Sequence, residues 1–154
     1  MECMISKSAG SASELTIQKL QSLMSKQQIS SFELVTRFID RISSLDKTLN
    51  SLLELNPDAL KIAQKLDQER TIGVSRGALH GIPVLLKDNI NTAGMATTAG
   101  AHVFLNNKTG NAFIVDRLLE KGAIILGKAN LSEWANYLCL ECPNGYSADR
   151  KSVV

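Results

Sequence analysis

Two short apolar runs, separated by a segment with helical spacing, place the strongest constraint on how this chain can fold. The first run, at 84–86, is followed by Lys87 and Asp88, and the second, at 123–126, is followed by Gly127 and Lys128. Strand, helix and strand at this spacing predict a right-handed crossover between two parallel strands. The carboxyl ends of both strands then lie on one side of the sheet, where α/β proteins place their sites.

The first run predicts a strand buried on both faces, because it lies between Gly-Ile-Pro and polar residues. It delivers Lys87 from the end of a core strand into a loop rich in Gly, Ala and Thr. A buried ammonium is costly unless it is paired or neutralised, which makes Lys87 the most informative residue of the chain. The alternative is a strand-end lysine whose aliphatic stem packs while its amine reaches water.

Other segments predict the helices and strands that surround these two runs. A short strand is predicted over 50–55, and a stop for the helix between the two apolar runs is predicted at Gly122. Trp134 is predicted to lie in a core helix. The expected class is α/β, with helices around a mixed sheet core and about three strands and five helices. The predicted helix caps are Thr16, Ser30 (in a capping box with Glu33), Asn56, Asn111 and Asn130 (with Glu133).

Length, charge and hydropathy exclude several classes of protein. The chain has 154 residues, enough for one domain with a moderate core, and its formal net charge of +2 indicates no nucleic-acid partner. No apolar stretch approaches the roughly 18 residues of a membrane helix. Residues 1–14 lack the apolar core of a secretory signal and are predicted to be a disordered leader. A cytoplasmic location is expected, and organellar targeting stays open.

The cysteines and histidines carry weak signals. The odd number of cysteines, Cys3, Cys139 and Cys142, argues against a secreted disulfide framework. The C-x-x-C formed by the last two could be redox-active or half of a zinc site, but reduced, semi-buried thiols are the preferred interpretation. For His80 and His102, packing in turns is preferred to metal binding or base catalysis, because neither has a ligand-spaced partner.

Four motifs in a fixed order carry a resemblance to a known family. They are GIPVLLKD at 81–88, TTAG at 97–100, GAIILGK at 122–128 and NLSEW at 130–134. Together they closely resemble the amidase signature family of carbon–nitrogen hydrolases. The resemblance extends more loosely over 15–148, so that region is expected to be the N-terminal part of an amidase signature domain. Residues 149–154 are expected to be a divergent tail.

The resemblance also implies a mechanism. In the family, a serine nucleophile is activated through a second serine, held on a cis peptide, whose proton passes to a lysine. Lys87 occupies the position of that lysine, which has to be neutral to act as the base. The activity implied is hydrolysis of a small-molecule amide, with no cofactor and no metal. Lys128 is expected to affect packing or substrate placement more than chemistry.

Both family serines belong to a glycine-framed Ser-Ser run that the 154 residues do not contain. The pairs Ser30-Ser31 and Ser43-Ser44 fall in predicted helices or caps and lack the glycine frame, so neither is a credible nucleophile. The resemblance therefore predicts a truncated amidase that is inactive alone and whose partner is a missing C-terminal portion or a homologue. Two alternatives are a fragment of the glutamine-hydrolysing component of the tRNA-dependent amidotransferase and a non-catalytic modulator of a full-length amidase. The sequence assigns no substrate-binding residues and no contact with nucleic acid or membrane.

Overall fold

The computed structural model describes residues 15–137, 146–147 and 151–152. Within them, four α-helices surround a three-stranded sheet, and a second, two-stranded pair lies near the C-terminus. Two short 3₁₀ turns cover His102–Phe104 and Glu133–Asn136. The helices and strands in chain order are α1 (Ile17–Ser25), α2 (Ser31–Leu49), β1 (Leu52–Leu55), α3 (Ala59–Thr71), β2 (Pro83–Lys87), α4 (Phe113–Glu120), β3 (Ile124–Ala129), β4 (Tyr146–Ser147) and β5 (Lys151–Ser152).

The three-stranded sheet has the order β1-β3-β2. Strands β2 and β3 run parallel and are joined through α4, which confirms the predicted crossover, whereas β1 is antiparallel to β3. The α/β class, with helices around a mixed sheet, is confirmed. The prediction that Lys128 lies beyond the end of its strand is wrong, because β3 continues to Ala129. The strand can continue close to β1 because Gly127 has no side chain, and a Cβ there would overlap the carbonyl oxygen of Glu54.

Helices cover β3 on both faces. Ile124 and Leu126 pack with buried residues of α2 and α3, while Ile125 packs on the other face with Val115 of α4. Burial on both faces was also predicted for β2. This prediction is wrong, because Leu85 is 43% exposed. Strand β2 is one of the two outer strands of the described sheet, and α2 only partly covers Leu85.

Several helix ends follow the predicted signals. Thr16 accepts a hydrogen bond from the backbone N–H of Lys19 (3.2 Å), and Ser30 accepts one from that of Glu33 (2.9 Å). Gly122 follows α4 with φ +79°, a left-handed conformation that favours glycine. These two caps and this stop are confirmed.

The asparagine caps predicted for α3 and α4 are wrong, because these helices begin after Asp58 and Ala112 instead. Asn111 Oδ1 accepts from Ala93 N (2.7 Å), and α4 begins only at Phe113 with no side-chain cap. Asn56 Oδ1 accepts from Asp58 N (3.0 Å) and its Nδ2 donates to the Ile125 carbonyl (2.7 Å), but the N-cap of α3 is Asp58, two residues later than predicted.

The predicted helix after Asn130 is also absent from the described residues. Asn130 Oδ1 accepts from Leu131 N (2.9 Å) and its Nδ2 donates to the Asn50 carbonyl (2.8 Å), so this side chain ties β3 to the entry of β1. Trp134 has φ +53° within the 3₁₀ turn and is 39% exposed, with its ring edge-on to Phe104 at a centroid distance of 5.2 Å. The prediction of a core tryptophan is therefore wrong.

His80 is fully buried and has a packing role, as predicted. Its Nε2 donates to the Leu66 carbonyl (2.9 Å), which leaves Nδ1 to accept from Arg76 N (3.2 Å). His102 is exposed in its 3₁₀ turn. Leader 1–14, Cys3, Cys139 and Cys142 lie outside the described residues, as does most of the tail 149–154. No described helix is both long and apolar enough to cross a membrane.

Candidate active site

Lys87 is the last residue of β2 and pairs with Ala129 of β3. Its side chain is exposed, and its backbone carbonyl accepts a hydrogen bond from Ile90 N (3.0 Å). Lys87 therefore lies at a strand end with its amine accessible to water, which is the alternative stated in the sequence analysis. The prediction of a buried lysine at this position is not met.

Lys128 is the buried lysine of this region, with no exposed surface. Its Nζ donates to the carbonyls of Ile90 (2.8 Å) and Ala96 (3.3 Å) and to Thr97 Oγ1 (2.9 Å). An ammonium has three N–H donors, so these three acceptors satisfy it. Its counter-ion is Asp88, whose Oδ1 lies 3.1 Å away.

Asp88 joins Lys87 to this buried ammonium. It is fully buried, and its Oδ2 accepts hydrogen bonds from Thr98 N (2.9 Å) and Thr98 Oγ1 (2.5 Å). Its backbone N–H donates to Ala129 O (3.0 Å), and its carbonyl accepts from Ala99 N (3.2 Å). The residue directly after Lys87 is thus held through its carboxylate and through both of its backbone polar groups.

A buried ion pair of this kind adds little net stability relative to an apolar pair of the same shape. Removing two charges from water costs several kcal/mol per ion, which the mutual attraction and the extra hydrogen bonds repay only when the geometry is good. Removing one partner alone typically costs about 3–5 kcal/mol, because the other charge stays buried. Asp88 and Lys128 therefore act as a unit.

The loop at 97–100 packs against the segment at 130–134. Gly100 has φ +75°, and a Cβ there would lie 3.2 Å from Glu133 Cα, Leu131 O and Ser147 Cβ. Trp134 N donates to Ala99 O at 2.9 Å. All four sequence motifs consequently meet at the carboxyl ends of β2 and β3, although they are spread over more than fifty positions of the chain.

A cavity of about 580 Å³ lies at the same edge of the sheet. Asp88 and Thr98 form part of its wall, together with the side chains of Glu54, His102 and Lys108. Within the described part of the chain, no group of three His, Cys, Asp or Glu side chains could hold a metal ion.

Comparison with known proteins identifies the family of the chain. A family model described as Amidase matches residues 33–146. The chain belongs to the amidase family. It is 42% identical over 137 residues to a Schizosaccharomyces pombe protein named as a putative amidase, a match that covers 88% of this chain and 24% of that protein. It is 39% identical to a glutamyl-tRNA(Gln) amidotransferase component of Thermoanaerobacter pseudethanolicus, over 79% of this chain and 25% of that component.

Solved structures match the amidase fold at high similarity. The native peptide amidase from Stenotrophomonas maltophilia superposes with a TM-score of 0.89 at 45% identity, covering 91% of this chain and 29% of the amidase. An amidase family protein from Bacillus anthracis gives a TM-score of 0.86 at 42% identity, over 92% of this chain and 29% of that protein. The chain thus spans about a quarter of the length of its curated relatives, and the expected N-terminal portion of the amidase signature fold is confirmed.

Sequence reasoning singled out Lys87 but missed the role of Asp88 and underrated Lys128. The available signal was the pairing of two parallel strands that both end in polar residues. Aligned by their carboxyl ends, such strands bring Lys128 beside Leu86 and within reach of Asp88.

Proposed function

We propose that this chain supplies the N-terminal part of an amide-hydrolysing active site in which Lys87 is the base of a Ser–Ser–Lys triad. Membership of the amidase family supports hydrolysis of amide bonds at the level of the family. The triad itself rests on the match of Lys87 to the family's lysine position within GIPVLLKD. A small-molecule amide is the substrate class, and a cytoplasmic location is part of the same proposal.

The observation that carries the proposal is the contrast between the two lysines at this edge of the sheet. Lys128 is buried, and three acceptors and one carboxylate surround its amine. Lys87 lies at the carboxyl end of β2 with an exposed side chain. Its carbonyl accepts from Ile90 N, and the next backbone N–H, that of Asp88, donates to Ala129 O. Of these two amines, the one of Lys87 can reach a serine or a substrate supplied from elsewhere.

In the proposed reaction, the nucleophilic serine attacks the amide carbonyl carbon, and its proton moves through the second serine to Lys87 Nζ. That proton then passes to the leaving nitrogen as the carbon–nitrogen bond breaks, which releases the amine and leaves an acyl-serine. Water then attacks the acyl carbon and gives its proton along the same relay to Lys87 Nζ. As the ester bond breaks, that proton returns to the serine oxygen, which releases the carboxylic acid and restores both the serine hydroxyl and the neutral lysine. No cofactor takes part in these steps.

The two serines come, in this proposal, from outside the 154 residues, since no glycine-framed Ser-Ser run occurs in them. The purified chain is therefore expected not to hydrolyse simple amides. A serine-directed fluorophosphonate is expected to leave it unlabelled. Amide turnover by the pure chain that disappears in Lys87→Ala would contradict this part of the proposal.

A stand-alone amidase is favoured over the amidotransferase component. The identity is 42% over 88% of the chain for the Schizosaccharomyces pombe protein, against 39% over 79% for the Thermoanaerobacter protein. The segment at 130–134 also resembles stand-alone amidases more than the amidotransferase component.

The decisive experiment uses a hybrid enzyme. Residues 15–137 of this chain replace the matching segment of the Stenotrophomonas maltophilia peptide amidase, whose remainder supplies the serines. The hybrid is expected to hydrolyse a peptide amide, and Lys87→Ala is expected to lower kcat by about 10²–10⁴-fold. Lys19→Ala, at an exposed lysine of α1, is the matched control and should leave kcat unchanged. Normal activity of the Lys87→Ala hybrid would contradict the proposal.

A further inference from the structure

The side chain of Lys128 contacts several residues of the segment at 88–97, which follows β2. Its Nζ contacts residues at positions 88, 90, 96 and 97 from a strand that lies beside β2. In the β2–β3 register, Lys128 pairs with Leu86, and Ala129 pairs with Lys87. The buried amine of Lys128 therefore lies beside the carboxyl end of β2, the strand that carries the exposed Lys87.

We infer that Lys128 is a positioning residue for Lys87 and acts through Asp88. This inference rests on the proposed function of Lys87 and adds a role that the family resemblance does not supply. Lys128 Nζ forms an ion pair with Asp88 Oδ1 at 3.1 Å, an oxygen that accepts no hydrogen bond within the described residues, while Thr98 donates two hydrogen bonds to Oδ2. Because Asp88 is covalently attached to Lys87, its place in this network sets where the Lys87 backbone ends β2 and in which direction its side chain leaves.

The network fixes direction as well as position. The backbone N–H of Asp88 donates across to Ala129 O, and its carbonyl accepts from Ala99 N, so the peptide unit after Lys87 has little freedom to rotate. Catalytic groups lose rate when they move by fractions of an ångström to an ångström, so a rigid support of this kind affects the rate of the chemical step. It has little effect on substrate binding.

A purely structural role would predict something different. If Lys128 only stabilised the fold, its loss would raise hydrogen exchange uniformly and would not alter kcat in molecules that remain folded. A positioning role predicts a local effect at the end of β2 and a change in kcat with little change in KM.

The first arm of the test uses the 154-residue chain itself and does not depend on catalysis. In Lys128→Met/Asp88→Asn, which leaves no buried charge without its partner, amide exchange at position 88 is expected to accelerate at least tenfold more than exchange in the middle of α2, whereas the exposed-site control Lys19→Met changes neither. Equal acceleration at both places, or none at position 88, would overturn the inference.

Two variants of Thr98 perturb the network less than the loss of Lys128 does, and they test the inference if the Lys128→Met variants fail to fold. Thr98→Val removes the hydroxyl that donates to Asp88 Oδ2, while Thr98→Ser keeps a hydroxyl there. Thr98→Val is expected to accelerate exchange at Asp88 at least threefold relative to α2, and Thr98→Ser is expected to stay near wild type. Identical behaviour of the two variants would contradict the network.

The second arm uses the hybrid amidase. Lys128→Met and Thr98→Val are expected to lower kcat at least tenfold with KM changed less than threefold, and Thr98→Ser is expected to restore kcat. If Lys87→Ala abolishes turnover while Lys128→Met and Thr98→Val leave kcat intact, the positioning role fails and the proposed function stands. If Lys87→Ala keeps its activity, the proposed function fails, and the exchange measurements still decide whether Lys128 orders the end of β2.

Discussion

Asp88 Oδ1 lies 3.1 Å from Lys128 Nζ, and neither side chain is more than 1% exposed. This contact joins the residue after the end of β2 to the interior of β3. It makes the carboxyl edge of the sheet one connected structure with Lys87 at its accessible end. Breaking this contact, or those around it, should therefore have consequences that can be measured.

Loss of the Lys128 amine should strongly destabilise the chain. Lys128→Met keeps most of the side-chain volume but leaves the Asp88 carboxylate buried without its counter-ion, so the free energy of unfolding should fall by about 3–5 kcal/mol. Lys128→Met/Asp88→Asn, which removes both charges, should lose less than Lys128→Met alone. Urea denaturation measures both, and a double variant less stable than the single variant would contradict the pairing.

Gly81 should tolerate alanine poorly. It has φ +81°, and a Cβ there would overlap the hydroxyl oxygen of Ser31 at the start of α2. Gly73 has the same φ of +81° with no atom within 4 Å of a Cβ, which makes it a matched control. Gly73→Ala should cost about 1 kcal/mol for backbone conformation alone, and Gly81→Ala clearly more. Equal losses in thermal unfolding would show that the contact with Ser31 is unimportant.

Part of the fold could be predicted from the sequence, because some of the signals that determine it are local. Gly122, Thr16 and Ser30 act within a few residues of themselves and were placed correctly, and the two apolar runs were correctly predicted to be parallel strands, although the extent of β3 and the burial of β2 were not. Asn111 and Asn130 were not placed correctly, because one side-chain atom of each binds a segment far away in sequence, Ala93 N for Asn111 and the Asn50 carbonyl for Asn130, which no local pattern reveals. The parallel pairing of β2 and β3 could have placed Lys128 near Asp88, but its burial also depends on the loop at 88–98, which only the three-dimensional structure shows.

The ion pair of Glu69 with Arg76 should contribute stability that depends on pH. Hydrogen bonding from Arg76 lowers the pKa of Glu69 below its ordinary value. A lowered pKa means stability that is present above the pKa of the unfolded chain and lost as pH falls through the folded-state pKa. Glu69→Gln should therefore cost up to about 1 kcal/mol at pH 7, and this cost should shrink as the pH falls through the folded-state pKa of Glu69. A difference between the two chains that is constant from pH 7 to pH 3 in urea titrations would contradict this interpretation.

The exposed apolar surface beside β2 should bind hydrophobic dyes. Leu85, Leu45 and Leu49 are each more than 40% exposed and line one apolar groove of about 200 Å³. Leu85→Lys introduces a charge on an outer strand of the described sheet and should lower dye fluorescence and aggregation of the isolated chain. Lys19→Leu, which adds an exposed leucine on α1, is the opposing control. Unchanged dye binding in Leu85→Lys would place the dye site elsewhere.

The role of Lys87 as the base is tested most directly by kcat/KM of the Lys87→Arg hybrid amidase. Arginine keeps a positive charge and a long side chain, but a guanidinium stays protonated at any working pH and cannot accept the serine proton. Lys87→Arg should therefore be inactive to within about tenfold of Lys87→Ala, whereas Lys19→Arg should keep the activity of the parent hybrid. Near-parental kcat/KM in Lys87→Arg would show that Lys87 is not the base.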